Sequence, residues 1–409
     1  MNLNRWLILL FVLIGSYGCI GIEGKQIEDS ATNVLTSVEQ QLSLLLADAH
    51  SKNKNPRTIS KEGNIHWATR DSLLRDSDEF DWTLGFFPGS CWYMYEYTDD
   101  EKWKNAAEKF QALHEKFKTL TTNHDLGFVF NCSYGNAYRI TQQEEYKKVL
   151  IEAGDALITR YNQKVGCIKS WDVDSGWQAT RGWKFPVIID NMMNLEMLFE
   201  LSKLTGDNKY REVAIAHANT TLKNHFRTDN SSYHVIDYDP ETGEVRNRNT
   251  AQGLANESAW ARGQAWGLYG FTVCYRYTKD PKYLEQAKKI ADFICSNNKI
   301  PKDGIPYWDY DAPNIPNEPR DASAGAVAAS ALLELNEYTD NAYLSSVDKI
   351  IQTLSSPEYS AKPGEIHNFV LKHSVGSIPH DAEIDVPLNY ADYYYIEALM
   401  RKRRSLRMQ

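Results

Sequence analysis

The stretch LSKLTGDNKYREVA, residues 201–214, shows the pattern that decides the fold. Apolar residues recur at three- and four-residue spacing on both sides of a Gly-Asp turn, which predicts two amphipathic helices joined by a very short loop. Similar short turns occur near residues 99–100, 278–281 and 339–341. In each case the second helix starts with a Lys-Trp, Lys-Tyr or Ala-Tyr pair. The pattern predicts a degenerate repeat of helical hairpins with a period of about fifty to seventy residues.

The same apolar spacing predicts twelve helices along the chain. Their predicted ranges are 27–49, 84–97, 102–120, 127–140, 143–161, 190–204, 207–225, 258–277, 281–297, 322–338, 341–356 and 389–402. Six helical pairs can close into a ring that has no free end, so we expect one all-α toroid of six hairpins rather than two domains. Strand patterns are few, and only residues 232–238 with a turn at 240–243 predict a short β-hairpin.

Four long irregular stretches follow alternate helices, at residues 161–188, 226–257, 298–321 and 357–388. Loops of this length in a compact fold often carry function. In a closed toroid we expect them to gather at one end and to form a pocket there.

The composition is that of a globular protein, because 42% of the 409 residues are hydrophobic and 24% are charged. These values exclude a disordered or fibrous chain. The 45 basic and 54 acidic residues give a net charge of −9, whereas a protein that binds duplex nucleic acid is usually basic. The 11 Trp and 24 Tyr residues suit a large core together with a surface on which sugar rings stack.

The N-terminal residues predict an export signal. Arg5 precedes an apolar run that is too short to span a bilayer, and small residues follow. The cysteine after them resembles the cleavage box of a bacterial lipoprotein, so we expect a signal peptide over 1–18, a lipidated Cys19 and a folded domain over 26–405. The protein would then be periplasmic or a membrane-anchored lipoprotein. Tyr17 is bulkier than such a box usually allows, so ordinary signal-peptidase cleavage remains the alternative.

The five other cysteines and the ten histidines lack the paired spacing of a metal site. The cysteines are odd in number and show no CxxC motif, so we expect buried free thiols. No HExxH, P-loop or GxGxxG motif occurs.

Two aspartates are the candidate acid and base. Asp125 precedes a predicted helix, and Asp190 is a lone charge in an apolar run. Two carboxyl groups in one cleft push their pKa values apart, so that one stays protonated near neutral pH and serves as a general acid. Each aspartate could instead cap a helix, and spacing alone does not bring them together.

The densest group of functional side chains lies at residues 256–267. Arg262 and Trp266 are four positions apart and share a helix face, where Arg can hold a carboxylate and Trp can stack on a sugar. The alternative is that Arg262 pairs with a buried acid in the core. His234 and Gln252 lie shortly upstream, on the predicted hairpin and the loop after it.

Taken together, these motifs resemble glycoside hydrolase family 88, the unsaturated glucuronyl hydrolases. The resemblance covers roughly residues 30–402. Its motifs are WTLGFFPG from Trp82, HDLGF from His124, IIDNMMNL from Ile188, YH at Tyr233, QG at Gln252, WARGQAWG from Trp260 and YADYYYIEAL from Tyr390.

The resemblance implies an (α/α)6 barrel and an unusual hydrolysis. Substrates of the family are oligosaccharides left by polysaccharide lyases, with a 4,5-unsaturated uronic acid at the non-reducing end. The enzyme hydrates the C4=C5 vinyl ether, and the resulting hemiketal falls apart. No metal or organic cofactor is implied. The expected partner is the oligosaccharide substrate, and no nucleic-acid partner is expected. Membrane contact would occur only through the lipid anchor, and the expected assembly is a monomer or a homodimer.

The resemblance also assigns roles to single residues. Asp190 matches the general acid and base that protonates C4 and deprotonates the attacking water, and Asp125 would keep it protonated by like-charge repulsion. The expected substrate-binding residues are His234, Gln252 and Arg262, the aromatic walls Trp82, Trp266 and Trp171, and Ser374 or Ser377, which with Lys372 would contact a sulfate on the next sugar.

Two other functions remain open. An unsaturated rhamnogalacturonyl hydrolase would use similar chemistry on a pectin fragment, and a non-catalytic glycan-binding lipoprotein would also carry aromatic residues and an anchor. The parent polysaccharide (chondroitin, hyaluronan or heparin) does not follow from the residues.

Overall fold

The computed structural model describes residues 32–68 and 80–407. The predicted signal peptide over 1–18, the predicted lipidation site Cys19 and the start of the predicted domain lie outside these ranges. Within them, no helix combines the length and the apolar character that crossing a bilayer requires. The same residues contain no group of three or more His, Cys, Asp or Glu side chains arranged to hold a metal ion.

Twelve helical segments of the described residues build the fold, and their positions agree with the predicted ones. Helix α1 covers residues 32–52. The further α-helices are α2 Phe86–Thr98, α3 Glu101–Ala112, α4 Asn136–Thr141, α5 Glu144–Ile158, α6 Gly176–Ala179, α7 Leu195–Thr205, α8 Asn208–Asn224, α9 Ala261–Thr278, α10 Pro281–Ser296, α11 Ala322–Asn336, α12 Leu344–Leu354 and α13 Asn389–Arg407.

Two inner segments differ from the predicted plain α-helices. A π-helix at Gly127–Gly135 leads directly into α4, and a 3-10 helix at Ile189–Asn194 leads into α7. Each pair forms one barrel segment, and the single turn α6 lies in a loop. A 3-10 turn at Glu115–Thr119 likewise replaces the end of the predicted helix 102–120.

The inner segments close into a ring. Helix α2, the π-helix with α4, then α7, α9, α11 and α13 each pack against the next, and α13 packs back against α2. Helices α3, α5, α8, α10 and α12 pack outside the inner segment that precedes each of them. All fifteen residues of inner helix α11 are buried, because it has neighbours on every side. The predicted (α/α)6 barrel is confirmed.

The short turns of the hairpins have a common capping chemistry. Asp100, Asp207 and Asp280 each accept a hydrogen bond from the backbone N–H two residues later, at the start of an outer helix. The residue before each of them has a positive φ, which ends the inner helix. Gly206 is the one glycine among these three positions. The turn composition therefore fixes where each hairpin reverses.

The described residues contain more strands than the one predicted hairpin. That hairpin is present as β6 Val235–Tyr238 and β7 Val245–Asn249, and β5 Phe185–Ile188 adds to it as an antiparallel edge. The other strands form three two-stranded sheets, β1 Pro56–Ile59 with β2 Ile65–Trp67, β3 Tyr161–Asn162 with β4 Cys167–Ile168, and β8 Ser374–Ser377 with β9 Ala382–Val386. Strands of two to five residues are too short to show a period in the sequence.

The five cysteines of the described residues are free thiols, as predicted. Four are buried and Cys295 is partly buried. They contribute to packing and form no crosslink.

Candidate active site

A cavity of about 490 Å³ lies where the inner segments begin. Trp82, Asp125, Asp190, Arg262 and Tyr390 line it, and each precedes or opens a different inner segment. Helix N-termini carry partial positive charge, so this end of the barrel favours an anion. Three of the four predicted loop stretches also line the cavity. The fourth stretch, 298–321, does not line the cavity, but its Asp321 pairs with the cavity residue Arg262.

Asp190 lies in the 3-10 turn before α7 and is 9% exposed. Its Oδ2 is buried and has no hydrogen-bond partner among the described residues. Burial raises the pKa of Asp190 to about 7, although Arg262, a backbone N–H and the indole of Trp266 each lower it. Asp190 is therefore not a helix cap, and it gains and loses its proton near neutral pH.

His234 faces Asp190 from the start of β6. Its Nδ1 accepts hydrogen bonds from the backbone N–H groups of Ala251, at 3.1 Å, and Gln252, at 3.2 Å. Burial, assisted by Arg262, lowers the pKa of His234 well below its ordinary value, so the ring is neutral. Since Nδ1 only accepts, the proton is on Nε2, which lies 3.7 Å from Oδ2 of Asp190. His234 is thus a neutral donor aimed at Asp190.

Asp125 lies just before the π-helix, and its side chain is 14% exposed. Burial, followed by the charges of Asp190 and Asp81, raises its pKa well above the ordinary value, against the effect of Arg160. The predicted repulsion between the aspartates therefore acts on Asp125. For Asp190, burial rather than the charge of Asp125 is the main cause of the raised pKa. Burial therefore favours the protonated form of both aspartates.

Arg262 lies in the cavity wall. It also pairs with a buried acid, which was the alternative interpretation of its sequence position. It is 1% exposed and pairs with the buried Asp321 at 3.0 Å. It also donates to the carbonyl oxygens of Val375 and Gly376 on β8. Gln252 donates to the same Gly376 oxygen at 3.3 Å. Both predicted binding residues therefore hold β8 against the cavity.

Trp266 is not an aromatic wall, which corrects the expectation. It lies one turn beyond Arg262 on α9, which places it inside the barrel, fully buried against Phe128 and Tyr394. Its indole N–H lowers the pKa of Asp190 and forms no hydrogen bond of ordinary length. Trp266 therefore acts on Asp190 from the barrel interior and not as a cavity wall.

Trp82 and Trp171 do line the cavity, and both are half-buried. The Trp82 ring lies 4.8 Å from Tyr390, and Trp171 stacks on Trp183 at 5.7 Å. Trp177, which is 38% exposed, lies at the rim beside Trp171. Aromatic faces at these positions can stack on sugar rings.

Only one of the two predicted serines reaches the cavity. Ser377 lines it and hydrogen-bonds His380 at 2.7 Å. Ser374 is fully buried and does not line it, because alternate residues of a strand point to opposite sides and Ser374 is three positions away. Lys372 pairs with Glu365 at 3.2 Å and also lies outside the cavity. The expected contacts of Ser374 and Lys372 with substrate are therefore not supported.

An ion triad in the cavity wall was not predicted from the sequence. Arg57 on β1 bonds Asp81 and Glu383, each at 2.6 Å. Asp81 also accepts from the backbone N–H and hydroxyl of Thr83. The Asp-Trp-Thr sequence could have indicated Asp81 as a site residue. Arg57 and Glu383 are 326 positions apart, and no local pattern indicates that they pair.

A second cavity of about 850 Å³ lies at the opposite end of the barrel. Its charged groups pair with each other, as in Arg276 with Glu196 and Glu334, each at 2.5 Å. None of the predicted site residues lines it.

Comparisons with known proteins show which proteins the chain is similar to. The family model described as Glycosyl Hydrolase Family 88 matches residues 52–401. An unsaturated glucuronyl hydrolase of Formosa agariphila is 43% identical over 383 residues, which cover 93% of this chain and 92% of that protein. One of Bacillus sp. strain GL1 is 34% identical, covering 81% of this chain and 88% of that protein. The crystal structure of an unsaturated glucuronyl hydrolase specific for heparin superposes with a TM-score of 0.85 at 46% identity, covering 92% and 98% of the two chains.

Proposed function

Because the chain belongs to glycoside hydrolase family 88, we propose that its two buried aspartates act on the vinyl ether of an unsaturated uronic acid. The protein is a glycoside hydrolase that removes the 4,5-unsaturated uronic acid from the non-reducing end of lyase-generated glycosaminoglycan oligosaccharides. The observation that supports the roles of its residues is the unpartnered Oδ2 of Asp190, buried in the cavity beside Asp125. A buried carboxyl group with a pKa of about 7 can both donate and accept a proton at neutral pH.

The proposed reaction starts with proton transfer from Asp190 to C4. The C4=C5 electron pair forms the new C–H bond, and positive charge develops at C5 and the ring oxygen. The Asp190 carboxylate then takes a proton from a water molecule, whose oxygen bonds to C5. The product is a hemiketal at C5, whose bond between C5 and the ring oxygen breaks to give the 5-keto group. This leaves a hemiacetal at C1, which forms an aldehyde as its bond to the shortened sugar breaks and the sugar leaves as an alcohol. One water is consumed, and Asp190 regains its proton.

The neighbours of Asp190 fit both of its protonation states. The Nε2–H of His234 and the N–H of Trp266 are donors directed at the carboxylate that forms after the first step. The hydroxyl of Tyr390 is buried, lines the cavity and has no partner among the described residues. The Tyr390 hydroxyl is therefore available to a polar atom of a substrate, since buried polar groups are normally paired.

The charge of the cavity favours binding when the aspartates are protonated. Asp81 and Glu383 are paired with Arg57, and Arg262 is paired with Asp321. The triad of Arg57 with two carboxylates keeps one net negative charge, so ionised Asp125 and Asp190 would add to the repulsion of a uronate. A protonated pair lets the anion enter the positive end of the inner helices.

A substrate panel tests the function. Unsaturated disaccharides from chondroitin, hyaluronan, heparin and pectin are mixed with the purified protein in D2O. We expect loss of the ultraviolet absorbance of the C4=C5 bond and one deuterium at C4 of the glycosaminoglycan products. Turnover of the pectin disaccharide alone would indicate the rhamnogalacturonyl alternative. Binding without absorbance loss, by folded protein, would indicate a glycan-binding protein.

We also propose that the protein is exported and anchored through Cys19, and that it acts as a monomer or homodimer. The sequence of residues 1–19 supports the anchor. Metabolic labelling with a radioactive fatty acid tests it. We expect label in the wild type and none in Cys19→Ser, and an unlabelled wild type would contradict the anchor. Analytical ultracentrifugation of protein lacking residues 1–19 measures the assembly.

A further inference from the structure

A side-chain amide behind the site has a fixed orientation. The Nδ2 of Asn191 donates to the backbone carbonyl of Ile168 at 2.8 Å and to Oγ of Ser170 at 3.0 Å. A carbonyl oxygen only accepts, so the NH2 group of Asn191 must point toward Ile168. Its Oδ1 therefore points the other way, where Nδ2 of Asn194 donates to it at 2.7 Å.

The orientation of Asn191 fixes the tautomer of His124. Nδ1 of His124 lies 2.9 Å from Oδ1 of Asn191, so Nδ1 carries a proton and donates it. His124 is 1% exposed, and burial, opposed by the hydrogen bond with Asn191 and assisted by the charge of Arg160, lowers its pKa to about 3. The ring is neutral at working pH. Its Nε2 then carries no proton and can only accept a hydrogen bond.

The group in front of that nitrogen is Asp125. Nε2 of His124 lies 3.4 Å from Oδ1 of Asp125, a few tenths of an ångström beyond an ordinary hydrogen bond. An ionised carboxylate also only accepts, so the two atoms would repel each other. A protonated Asp125 can donate to Nε2. Burial, followed by the charges of Asp190 and Asp81, also favours the protonated form of Asp125, and the charge of Arg160 opposes it.

We propose that His124 is a positioning residue that holds Asp125 protonated through the reaction, so that Asp190 is the one member of the pair that exchanges a proton. This inference rests on the proposed function. An uncharged Asp125 removes one negative charge from the path of the uronate. The two histidines face the two aspartates in opposite tautomers, with His234 donating to Asp190 and His124 accepting from Asp125.

Nitrogen NMR of the full chain, labelled with 15N-histidine, tests the tautomer directly. The His124 signals are assigned by their loss in His124→Gln. We expect His124 as the neutral Nδ1–H form and His234 as the neutral Nε2–H form at neutral pH. An imidazolium, or a proton on Nε2 of His124, would overturn the proposal. This measurement needs no substrate, so it tests the tautomer of His124 separately from the proposed function.

Two variants separate hydrogen bonding from packing. In His124→Gln the amide can donate to Asn191 and accept from Asp125, whereas His124→Phe fills the space with neither function. We expect kcat/KM of the Gln variant to exceed that of the Phe variant at least tenfold, with thermal unfolding showing that both are folded. Equal activity, or a better Phe variant, would overturn the proposal. A wild type inactive on every disaccharide would count against the proposed function instead.

Discussion

Nε2 of His234 lies 3.7 Å from Oδ2 of Asp190, and neither atom has a hydrogen-bond partner among the described residues. The tautomer of His234 is fixed by two backbone donors, so its proton is directed at the carboxyl group. The attraction between this N–H group and the carboxyl group grows when Asp190 becomes ionised, because a charged acceptor interacts more strongly with a donor than a neutral one does. His234 therefore favours the state of Asp190 that follows proton donation.

Activity should decline as the pH rises through 7. Asp190 must be protonated to donate to C4, and burial raises its pKa to about 7. Above that value the protonated fraction falls tenfold for each pH unit. The measurement is kcat/KM from pH 5 to 9 on the best disaccharide of the panel. A constant value up to pH 9 would contradict the acid role.

Trp266→Phe should move this decline to higher pH. The indole N–H lowers the pKa of Asp190, so its removal raises the pKa while the ring still fills the barrel. The matched control is Trp92→Phe, another fully buried indole, which donates to Gln111 away from the cavity. We expect the control to lose stability but keep the pH profile of the wild type. A Trp266 variant with an unshifted profile would exclude the contact.

Arg262→Ala should destabilise the fold as well as the site. It leaves Asp321, which is fully buried, without its cation, a loss that costs about 3–5 kcal/mol. Adding Asp321→Asn should restore part of the free energy of unfolding, measured with urea. Arg404→Ala, which breaks an exposed pair with Glu96, should cost less than about 1 kcal/mol. If Arg262→Ala lowers the free energy of unfolding no more than this control does, the pair with Asp321 does not stabilise the fold.

The two serines of β8 should behave differently. Ser377→Ala removes a hydroxyl from the cavity and its hydrogen bond with His380, so we expect KM to rise several-fold. Ser374→Ala removes a buried hydroxyl that has no partner among the described residues, so KM should stay within twofold. Steady-state kinetics of both variants on sulfated and unsulfated disaccharides measures this. A larger effect at Ser374 would contradict the placement of the strand.

The barrel was predictable because its signals are local. Apolar spacing gave the twelve segments, and aspartates such as Asp207 cap the outer helices next to the turns that predicted them. The π-helix before α4 was not predictable, since its apolar pattern is that of a plain helix. The short strands stayed hidden because two to five residues show no period.

The site residues that belong to local sequence motifs could be predicted. Contacts between residues that are far apart in the sequence could not. Asp125, Asp190, His234 and Arg262 lie at or beside one cavity, as expected. The depth of Trp266 depends on which turn of α9 enters the barrel, and periodicity does not give that depth. The Arg57–Glu383 pair depends on two loops that meet only in the folded protein.

The acid and base role of Asp190 is tested most directly by comparing Asp190→Asn with Asp392→Asn on an unsaturated disaccharide, with turnover followed by ultraviolet absorbance. Both aspartates are buried and have pKa values raised by burial to about 7, but Asp392 binds the backbone N–H groups of Val370 and Leu371, away from the cavity. General acid and base catalysis contributes about 10²–10⁴-fold. We expect Asp190→Asn to lose at least that much turnover and still to bind the disaccharide in calorimetry, whereas folded Asp392→Asn keeps its activity. Turnover by Asp190→Asn within tenfold of the wild type would contradict the acid and base role.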